Sequence, residues 1–216
     1  MDDAAARSFI ESNTALIAPP LTPEITLHLA SESLPIWQKT EEELGALNVP
    51  PPYWAFAWAG GQALARYVLD HPDVMAGKRV FDLGSGSGLV AIAAARSGAV
   101  LVTAFDIDPL AAVAIRLNAL ANGVRLTASS EDPLAATPKG ADVILVGDLF
   151  YERDLAERVI AYLDIAAHAG ADIFVGDPRR SYFPIARFVE VATYAVPVTR
   201  ELEDNEIKRT AVWRLA

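Results

Sequence analysis

The chain has 216 residues, of which 52% are hydrophobic and 21% are charged, a balance typical of one globular domain with a substantial core. Its formal net charge of −10 argues against a nucleic-acid backbone as partner, because phosphate contacts require clustered Lys and Arg. Without cysteine, the chain can form neither a disulfide nor a Cys-based metal site.

The N-terminal residues bear on the cellular location of the protein, and the histidines bear on whether it binds a metal. Residues 1–7 lack the basic and apolar regions of a signal peptide, and no apolar run approaches the length that crosses a bilayer. We therefore expect a cytoplasmic protein with no membrane partner. His28, His71 and His168 are far apart and lack the spacing of ligands, so no metal site is expected. A monomer is the default expectation.

Hydrophobic periodicity predicts the elements in chain order. The first are a helix over residues 3–17, a short strand over 25–30 and a helix over 34–47, and three prolines at 50–52 then interrupt the chain. A helix over 60–69 precedes the strands 79–83, 100–105, 124–128, 142–146 and 171–175, which alternate with helices over 89–97, 109–122 and 153–167 and a short helix near 181–188. This alternation predicts right-handed crossovers and a parallel sheet covered on both faces.

The C-terminal part departs from this alternation. Residues 188–198 and 207–215 both predict strands, and the polar residues 200–206 join them without a helix, so the two strands should pair antiparallel. We therefore predict an α/β fold with a Rossmann-like, mostly parallel sheet and a C-terminal antiparallel hairpin, as in Class I methyltransferases and unlike NAD-binding folds. Residues 1–59 would form an N-terminal extension that covers the substrate side, and residues 60–216 the cofactor-binding domain.

A glycine-rich turn between two acid-terminated strands indicates a nucleoside-bearing cofactor. Asp82 ends one strand, Gly84, Gly86 and Gly88 follow at alternate positions, and Asp106 ends the next strand. The third glycine comes one residue too early for the dinucleotide fingerprint G-x-G-x-x-G. Asp82 would repel a phosphate and attract the cationic amino group of a methionine moiety. Asp106 can accept hydrogen bonds from both ribose hydroxyls. The pattern therefore favours S-adenosylmethionine over NAD.

The same residues also admit a purely structural interpretation. The glycines can serve only to form a tight turn between strand and helix, and the residues from Asp106 to Pro109 can serve only to cap the next helix. The presence of an acid at both strand ends favours the cofactor interpretation.

A second group of chemically capable residues follows the strand at 142–146. Asp148, Phe150, Tyr151 and Glu152 come directly after it. Ligands of open α/β sheets bind outside the carboxyl ends of the strands, so Asp82, Asp106 and Asp148 should converge on one cleft. The structural alternative for Asp148 is an N-cap of the helix over 153–167.

Several segments resemble the seven-β-strand protein lysine methyltransferases, and in particular the family that methylates the β-subunit of electron transfer flavoprotein. The segments that carry the resemblance are residues 21–27, 52–67, 82–88, 106–109, 148–155 and 176–179. The glycine motif is common to all Class I methyltransferases, whereas Asp148-Leu-Phe-Tyr and the N-terminal segments are much narrower signals. One departure is Ala59, where proline is expected.

The resemblance implies a role for each site residue. The residues that would bind S-adenosylmethionine are Trp58, Asp82, Gly84, Ser85, Gly86, Gly88, Asp106, Ile107 and Ser130. Either Ser130 or Glu131 would lie near the adenine edge. Asp148 would face the target lysine, and Tyr151 would line its channel. Trp54, Phe150 and Glu152 would lie on the substrate side, although core packing is an equal alternative for Trp54. The implied partner is the β-subunit of electron transfer flavoprotein.

Three other functions stay open at this point. The chain could methylate a small-molecule amine, and ribosomal protein L11 is an alternative or additional protein substrate. Methylation of a nucleic-acid base is disfavoured, because such enzymes place Asn/Asp-Pro-Pro-aromatic where this chain has Leu149 and Phe150. A non-catalytic module that binds the cofactor without consuming it is the remaining possibility.

Overall fold

The computed structural model describes residues 2–30, 52–198 and 207–216. In these ranges the helices are α1 (Asp3–Asn13), α2 (Ala59–Asp70), α3 (Leu89–Arg96), α4 (Pro109–Ala121) and α5 (Arg153–His168). The strands are β1 (Ala15–Ile17), β2 (Leu27–Leu29), β3 (Arg79–Leu83), β4 (Leu101–Phe105), β5 (Thr127–Ser129), β6 (Val143–Gly147), β7 (Asp172–Asp177), β8 (Phe188–Pro197) and β9 (Ile207–Leu215). Four single 3₁₀ turns lie at Tyr53–Ala55, Pro72–Val74, Pro133–Ala135 and Ile185–Arg187.

Seven strands form the main sheet in the order β5-β4-β3-β6-β7-β9-β8. The first five strands in this order, from β5 to β7, are parallel to one another. Strand β6 is buried along four of its five residues, as expected for the centre of a parallel sheet with both faces covered. The α/β fold predicted from the alternation of strands and helices is therefore confirmed.

The C-terminal hairpin is also confirmed. Strand β9 pairs antiparallel with both β7 and β8, so β8 is the edge strand of the sheet. The register shifts by one residue between Glu190 and Ala192, which marks a β-bulge in β8. The loop between the two strands lies outside the described residues.

Three predicted elements differ from the observed ones. Helix α1 ends at Asn13, and Ala15–Ile17 instead forms a strand that pairs with β2. The predicted helix near 181–188 is only the 3₁₀ turn Ile185–Arg187, because Phe188 already begins β8. The strand predicted at 124–128 is shorter and later, at Thr127–Ser129. The helix predicted over 34–47 lies outside the described residues.

The N-terminal residues share the core of the main domain. Ile25 and Leu27 are fully buried in the same hydrophobic cluster as Leu64 and Val68 of α2. A second N-terminal contact joins Ile10 of α1 to Trp54 and to the buried face of α4. The proposed division at residue 59 stays a prediction, and the interface across this boundary is continuous apolar packing.

A close backbone approach fixes the start of α2 against the end of β7. A Cβ atom on Gly60 would lie 2.2 Å from the backbone oxygen of Gly176 and 2.5 Å from a carboxylate oxygen of Asp148. Only glycine fits at such a distance. This contact places the first turn of α2 beside the carboxyl ends of β6 and β7, where the polar residues of the site lie.

Candidate active site

A cleft of about 640 Å³ lies at the carboxyl ends of β3, β4 and β6. Its volume is typical of sites for small ligands. It brings together eight of the residues that the sequence singles out, namely Trp54, Trp58, Gly84, Gly86, Asp106, Ile107, Asp148 and Tyr151. The convergence predicted for Asp106 and Asp148 is therefore observed.

Asp82 lies behind the glycine turn and is only 1% exposed. Its Oδ2 accepts hydrogen bonds from the Ser85 hydroxyl at 2.5 Å and from the Ala91 backbone N–H at 3.1 Å. Burial raises the pKa of this carboxyl to about 7, against the opposing effect of these two hydrogen bonds. Neither Asp82 nor Ser85 lines the cleft. In this structure Asp82 holds the turn against α3, and the direct contact expected between Asp82 and the amino group of the cofactor stays a prediction.

Gly88 likewise supports the turn from outside the cleft. It caps α3 with a left-handed backbone at φ 82°, and a Cβ here would press on the Ile115 side chain at 3.3 Å. By contrast, Gly86 lines the cleft and its own N–H donates to Asp106 at 2.8 Å. Of the three glycines, Gly84 and Gly86 thus form the surface that a ligand meets.

Asp106 has the geometry of a nucleoside anchor. Its Oδ2 accepts from the Gly86 N–H and its Oδ1 accepts from the Asp108 N–H at 3.0 Å, which fixes the orientation of the carboxylate. Each oxygen retains a further lone-pair direction for a hydroxyl donor. Burial raises the pKa of Asp106. The helix cap is a different residue, because Asp108 accepts from the Leu110 N–H at 2.8 Å.

The wall beyond Asp106 differs from the prediction. Ser130 and Glu131 are exposed and do not line the cleft. Asp132, Pro133 and Leu134 line it instead, and Asp132 caps this 3₁₀ turn by accepting from the Leu134 N–H. The Asp-Pro dipeptide, which also begins α4, is the sequence signal that could have located this wall.

Asp148 lines the cleft in a left-handed backbone conformation at φ 56°. Its Oδ2 accepts from the Gly61 N–H at 3.1 Å. Its Oδ1 accepts from both Nε and Nη2 of Arg180, at 3.0 and 2.7 Å. The N-cap position of α5 belongs to Glu152, so Asp148 does not cap that helix.

Sequence reasoning did not identify Arg180 or Asp177 as site residues. Asp177 ends β7 and is fully buried, and its Oδ1 accepts from the Arg180 backbone N–H at 2.7 Å. Burial, and then the nearby charge of Asp148, raise the pKa of Asp177 to about 7. The available signal was the segment Gly176-Asp-Pro-Arg, which follows a strand at the same edge of the sheet.

Aromatic rings form the rim near Asp148. The ring of Tyr53 lies 6.0 Å from that of Trp58 and 6.2 Å from that of Tyr151, measured between centroids. The Trp58 Nε1–H donates to the Tyr53 backbone oxygen at 2.9 Å, which fixes the indole. Burial raises the pKa of Tyr151, so its phenol stays protonated and can donate a hydrogen bond.

Two residues predicted on the substrate side lie elsewhere. Phe150 is fully buried in the core, where its ring packs at 5.3 Å against Phe183 and at 6.4 Å against Phe188. Glu152 is exposed and does not line the cleft. The core position of Phe150 corrects the substrate contact predicted for it, whereas the contact predicted for the exposed Glu152 stays a prediction. Trp54 is 1% exposed and combines core packing with a place in the wall of the cleft.

The donor set of the cleft fits S-adenosylmethionine. A partly buried carboxylate with free lone pairs suits a ribose diol, and Gly84 and Gly86 present backbone rather than side chains to the cleft. Within residues 2–30, 52–198 and 207–216, no cluster of side chains has the composition of a metal site. None of the helices in this part of the chain is long and apolar enough to cross a membrane.

Solved structures share the fold of this chain. Magnesium protoporphyrin IX methyltransferase from Synechocystis PCC 6803, crystallised with S-adenosylmethionine, matches with a TM-score of 0.53 and 21% identity, over 73% of this chain and 80% of that one. The family model for ribosomal protein L11 methyltransferase (PrmA) matches residues 62–149, which include the glycine turn and Asp106.

Sequence relatives extend over nearly the whole chain. The electron transfer flavoprotein beta subunit lysine methyltransferase of Danio rerio is 39% identical over 96% of this chain and 82% of its own length. The protein of the same name from Rattus norvegicus is 38% identical, over 98% and 84%. This chain is thus an S-adenosylmethionine-dependent methyltransferase, and it belongs to the family of electron transfer flavoprotein β-subunit lysine methyltransferases.

Proposed function

We propose that this protein transfers methyl groups from S-adenosylmethionine to lysine side chains of the β-subunit of electron transfer flavoprotein. The observation that carries the proposal is one cleft that joins the nucleoside anchor Asp106 to the carboxylate of Asp148 under an aromatic rim. The substrate is inferred from the names of relatives that align with more than nine-tenths of this chain.

The bound cofactor supplies an electrophilic methyl group on a sulfonium. The residues of the chain must then hold a lysine amine in line with that methyl group, and positioning of this kind is a major source of rate acceleration. Asp148 is held by Gly61 and Arg180 and therefore presents a fixed carboxylate to an incoming amine. Its role is to orient the amine by accepting a hydrogen bond from it.

The aromatic rim complements a cationic side chain. The faces of Tyr53, Trp58 and Tyr151 line the cleft beside Asp148, and each such face attracts an ammonium by about 0.5–2 kcal/mol. Tyr151 is 49% exposed and lies at the entrance, so its ring can contact the aliphatic part of a lysine. We infer that these rings guide the side chain towards Asp148.

Asp148→Ala tests the assignment, because it removes both oxygens that could accept a hydrogen bond from the amine. We expect a loss of turnover of at least about 100-fold on purified electron transfer flavoprotein, with the Kd of S-adenosylmethionine changed less than about threefold. The two losses are measured separately, by methyl transfer and by calorimetry. Equal losses in turnover and cofactor affinity would instead assign Asp148 to cofactor binding.

Location and assembly are further proposals. We propose a cytoplasmic monomer that binds neither nucleic acid nor membrane, consistent with the net charge of −10. Cell fractionation tests the location, and light scattering of the purified protein tests the assembly state. A stable dimer in solution, or recovery in the membrane fraction, would overturn the corresponding part of this proposal.

A further inference from the structure

Arg180 places a permanent positive charge at the point where the substrate amine is expected to arrive. Its guanidinium lines the cleft, contacts Asp148 Oδ1 through two nitrogens and lies 5.9 Å from the centre of the Trp58 ring. The side chains of Arg180 and Asp148 are 21% and 10% exposed. Since a guanidinium does not lose its proton in proteins, this charge is present at every pH of interest.

The pairing changes what Asp148 does to a lysine. An unpaired carboxylate would stabilise the ammonium form and raise the pKa of the lysine, which ordinarily lies near 10.4. Only the neutral amine can attack a methyl group, so an unpaired Asp148 would oppose the reaction. Arg180 offsets that charge, and its own charge repels a second cation at short range.

We propose that Arg180 keeps the lysine amine neutral in the assembled site, by balancing the charge of Asp148 and by disfavouring an ammonium beside it. The inference rests on the proposed protein-lysine methylation. The amine releases a proton to water, and its nitrogen then forms a bond to the methyl carbon as the C–S bond breaks. The positive charge thereby passes from the sulfonium, which becomes a neutral thioether, to the methylated nitrogen, which can release a second proton to water. Arg180 acts through its charge and its contact with Asp148, and Asp148 still orients the amine.

Other titratable groups face this end of the cleft and contribute to its pH dependence. Asp177 lies behind Arg180, and burial raises its pKa to about 7. Tyr53 and Tyr151 form the rim, and burial raises the pKa of Tyr151. Four further charged side chains line the cleft, namely Asp106, Asp108, Asp132 and Arg158, and the last two form an ion pair. Asp177, with its pKa raised to about 7, is expected to titrate near neutral pH.

The test is the pH dependence of the single-turnover rate at saturating substrate, because that rate reports groups in the assembled complex. In the parent enzyme the rate should rise with pH as the lysine amine loses its proton. We expect Arg180→Gln to shift this rising part of the pH–rate profile to higher pH by about one unit or more. The rate at pH 7 should fall about tenfold or more, with recovery at high pH and no rise in KM. Arg180→Lys retains the charge and should restore most of the parent profile.

Arg179→Gln is the matched control. Arg179 is the neighbouring residue, but its side chain is 64% exposed and lies near Glu190 and the Trp213 ring. It does not line the cleft. Removal of the same charge one residue away should leave both the rate and the pH profile unchanged. A shift as large as that of Arg180→Gln would mean that net charge alone is responsible.

Two further measurements identify the group that titrates. A substrate whose target lysine is replaced by S-aminoethylcysteine carries a less basic amine, so the rising part of its pH–rate profile should move to lower pH in the parent enzyme. Asp177→Asn should leave this part of the profile in place. The proposal would be overturned if the rising part of the pH–rate profile shifted in the Asp177→Asn variant and did not shift with the less basic substrate amine.

The outcome for Arg180 is separable from that for the proposed function. Failure of the parent enzyme to methylate any lysine would refute the proposed function. Lysine methylation by the parent, together with a folded Arg180→Gln variant that is slow at all pH values, would show that Arg180 only supports the structure and would refute this inference.

Discussion

Replacement of Asp106 by alanine tests the nucleoside anchor independently of catalysis. The carboxylate is mostly buried and already oriented by the N–H groups of Gly86 and Asp108, so little further ordering is needed when two ribose hydroxyls donate to it. Hydrogen bonds to a charged acceptor contribute about 1.5–3 kcal/mol each. Loss of two should weaken binding by at least about 3 kcal/mol, which is a rise in Kd of roughly 100-fold or more.

The assay is calorimetric titration of S-adenosylmethionine and S-adenosylhomocysteine into the purified variant, after circular dichroism has established that it is folded. Asp142→Asn is a suitable control, because Asp142 pairs with Arg79 at the opposite end of the sheet. Its Kd should match that of the parent. A folded Asp106→Ala protein that binds the cofactor within threefold of the parent would refute the anchor.

Three other substitutions test the packing and the buried charge. Phe150→Ala should lower the free energy of unfolding by about 3–5 kcal/mol in urea titrations, because its ring is buried in the core. Tyr151→Ala should barely alter the free energy of unfolding but should lower the rate of methyl transfer. Equal unfolding curves for the two variants would contradict the core placement of Phe150. Gly60→Ala should lower the melting temperature sharply, and Gly61→Ala, whose Cβ meets open space, should not; identical melting curves would contradict the close approach. Asp177 has its pKa raised to about 7, so the folded state binds more protons than the unfolded state between about pH 4 and 7, and stability is lost as pH rises through that window. Asp177→Asn should flatten this decline in urea titrations at pH 5 and 8, and an unchanged slope would contradict the shift.

The strands of the main sheet could be predicted to within about three residues because their signals are local. Strand β3 was predicted with its exact bounds, since an apolar run ends at Asp82 and a glycine turn follows. Strand β1 could not be predicted, because it forms only by pairing with β2 some ten residues later in the chain. In sequence, Ala15–Ile17 looks like a continuation of α1.

Site residues could likewise be predicted where the signal is local in sequence, and could not where it depends on tertiary contacts. The acids Asp106 and Asp148 could be found because each follows directly on an apolar strand of the predicted sheet. Arg180 could not, because its contact with Asp148 depends on adjacent strands that bring together residues 32 positions apart. The orientation of Phe150 also depends on tertiary contacts, since only the later aromatic residues Phe183 and Phe188 draw its ring into the core.

Methylation of purified electron transfer flavoprotein tests the central claim most directly. The protein is incubated with isotopically labelled S-adenosylmethionine and the flavoprotein, alongside ribosomal protein L11 and a small-molecule extract, and the label is mapped by mass spectrometry. The account predicts labelled lysine in the β-subunit, at a rate that Asp148→Ala lowers by at least about 100-fold. Label confined to L11 or to small molecules, or none despite measured cofactor binding, would contradict it.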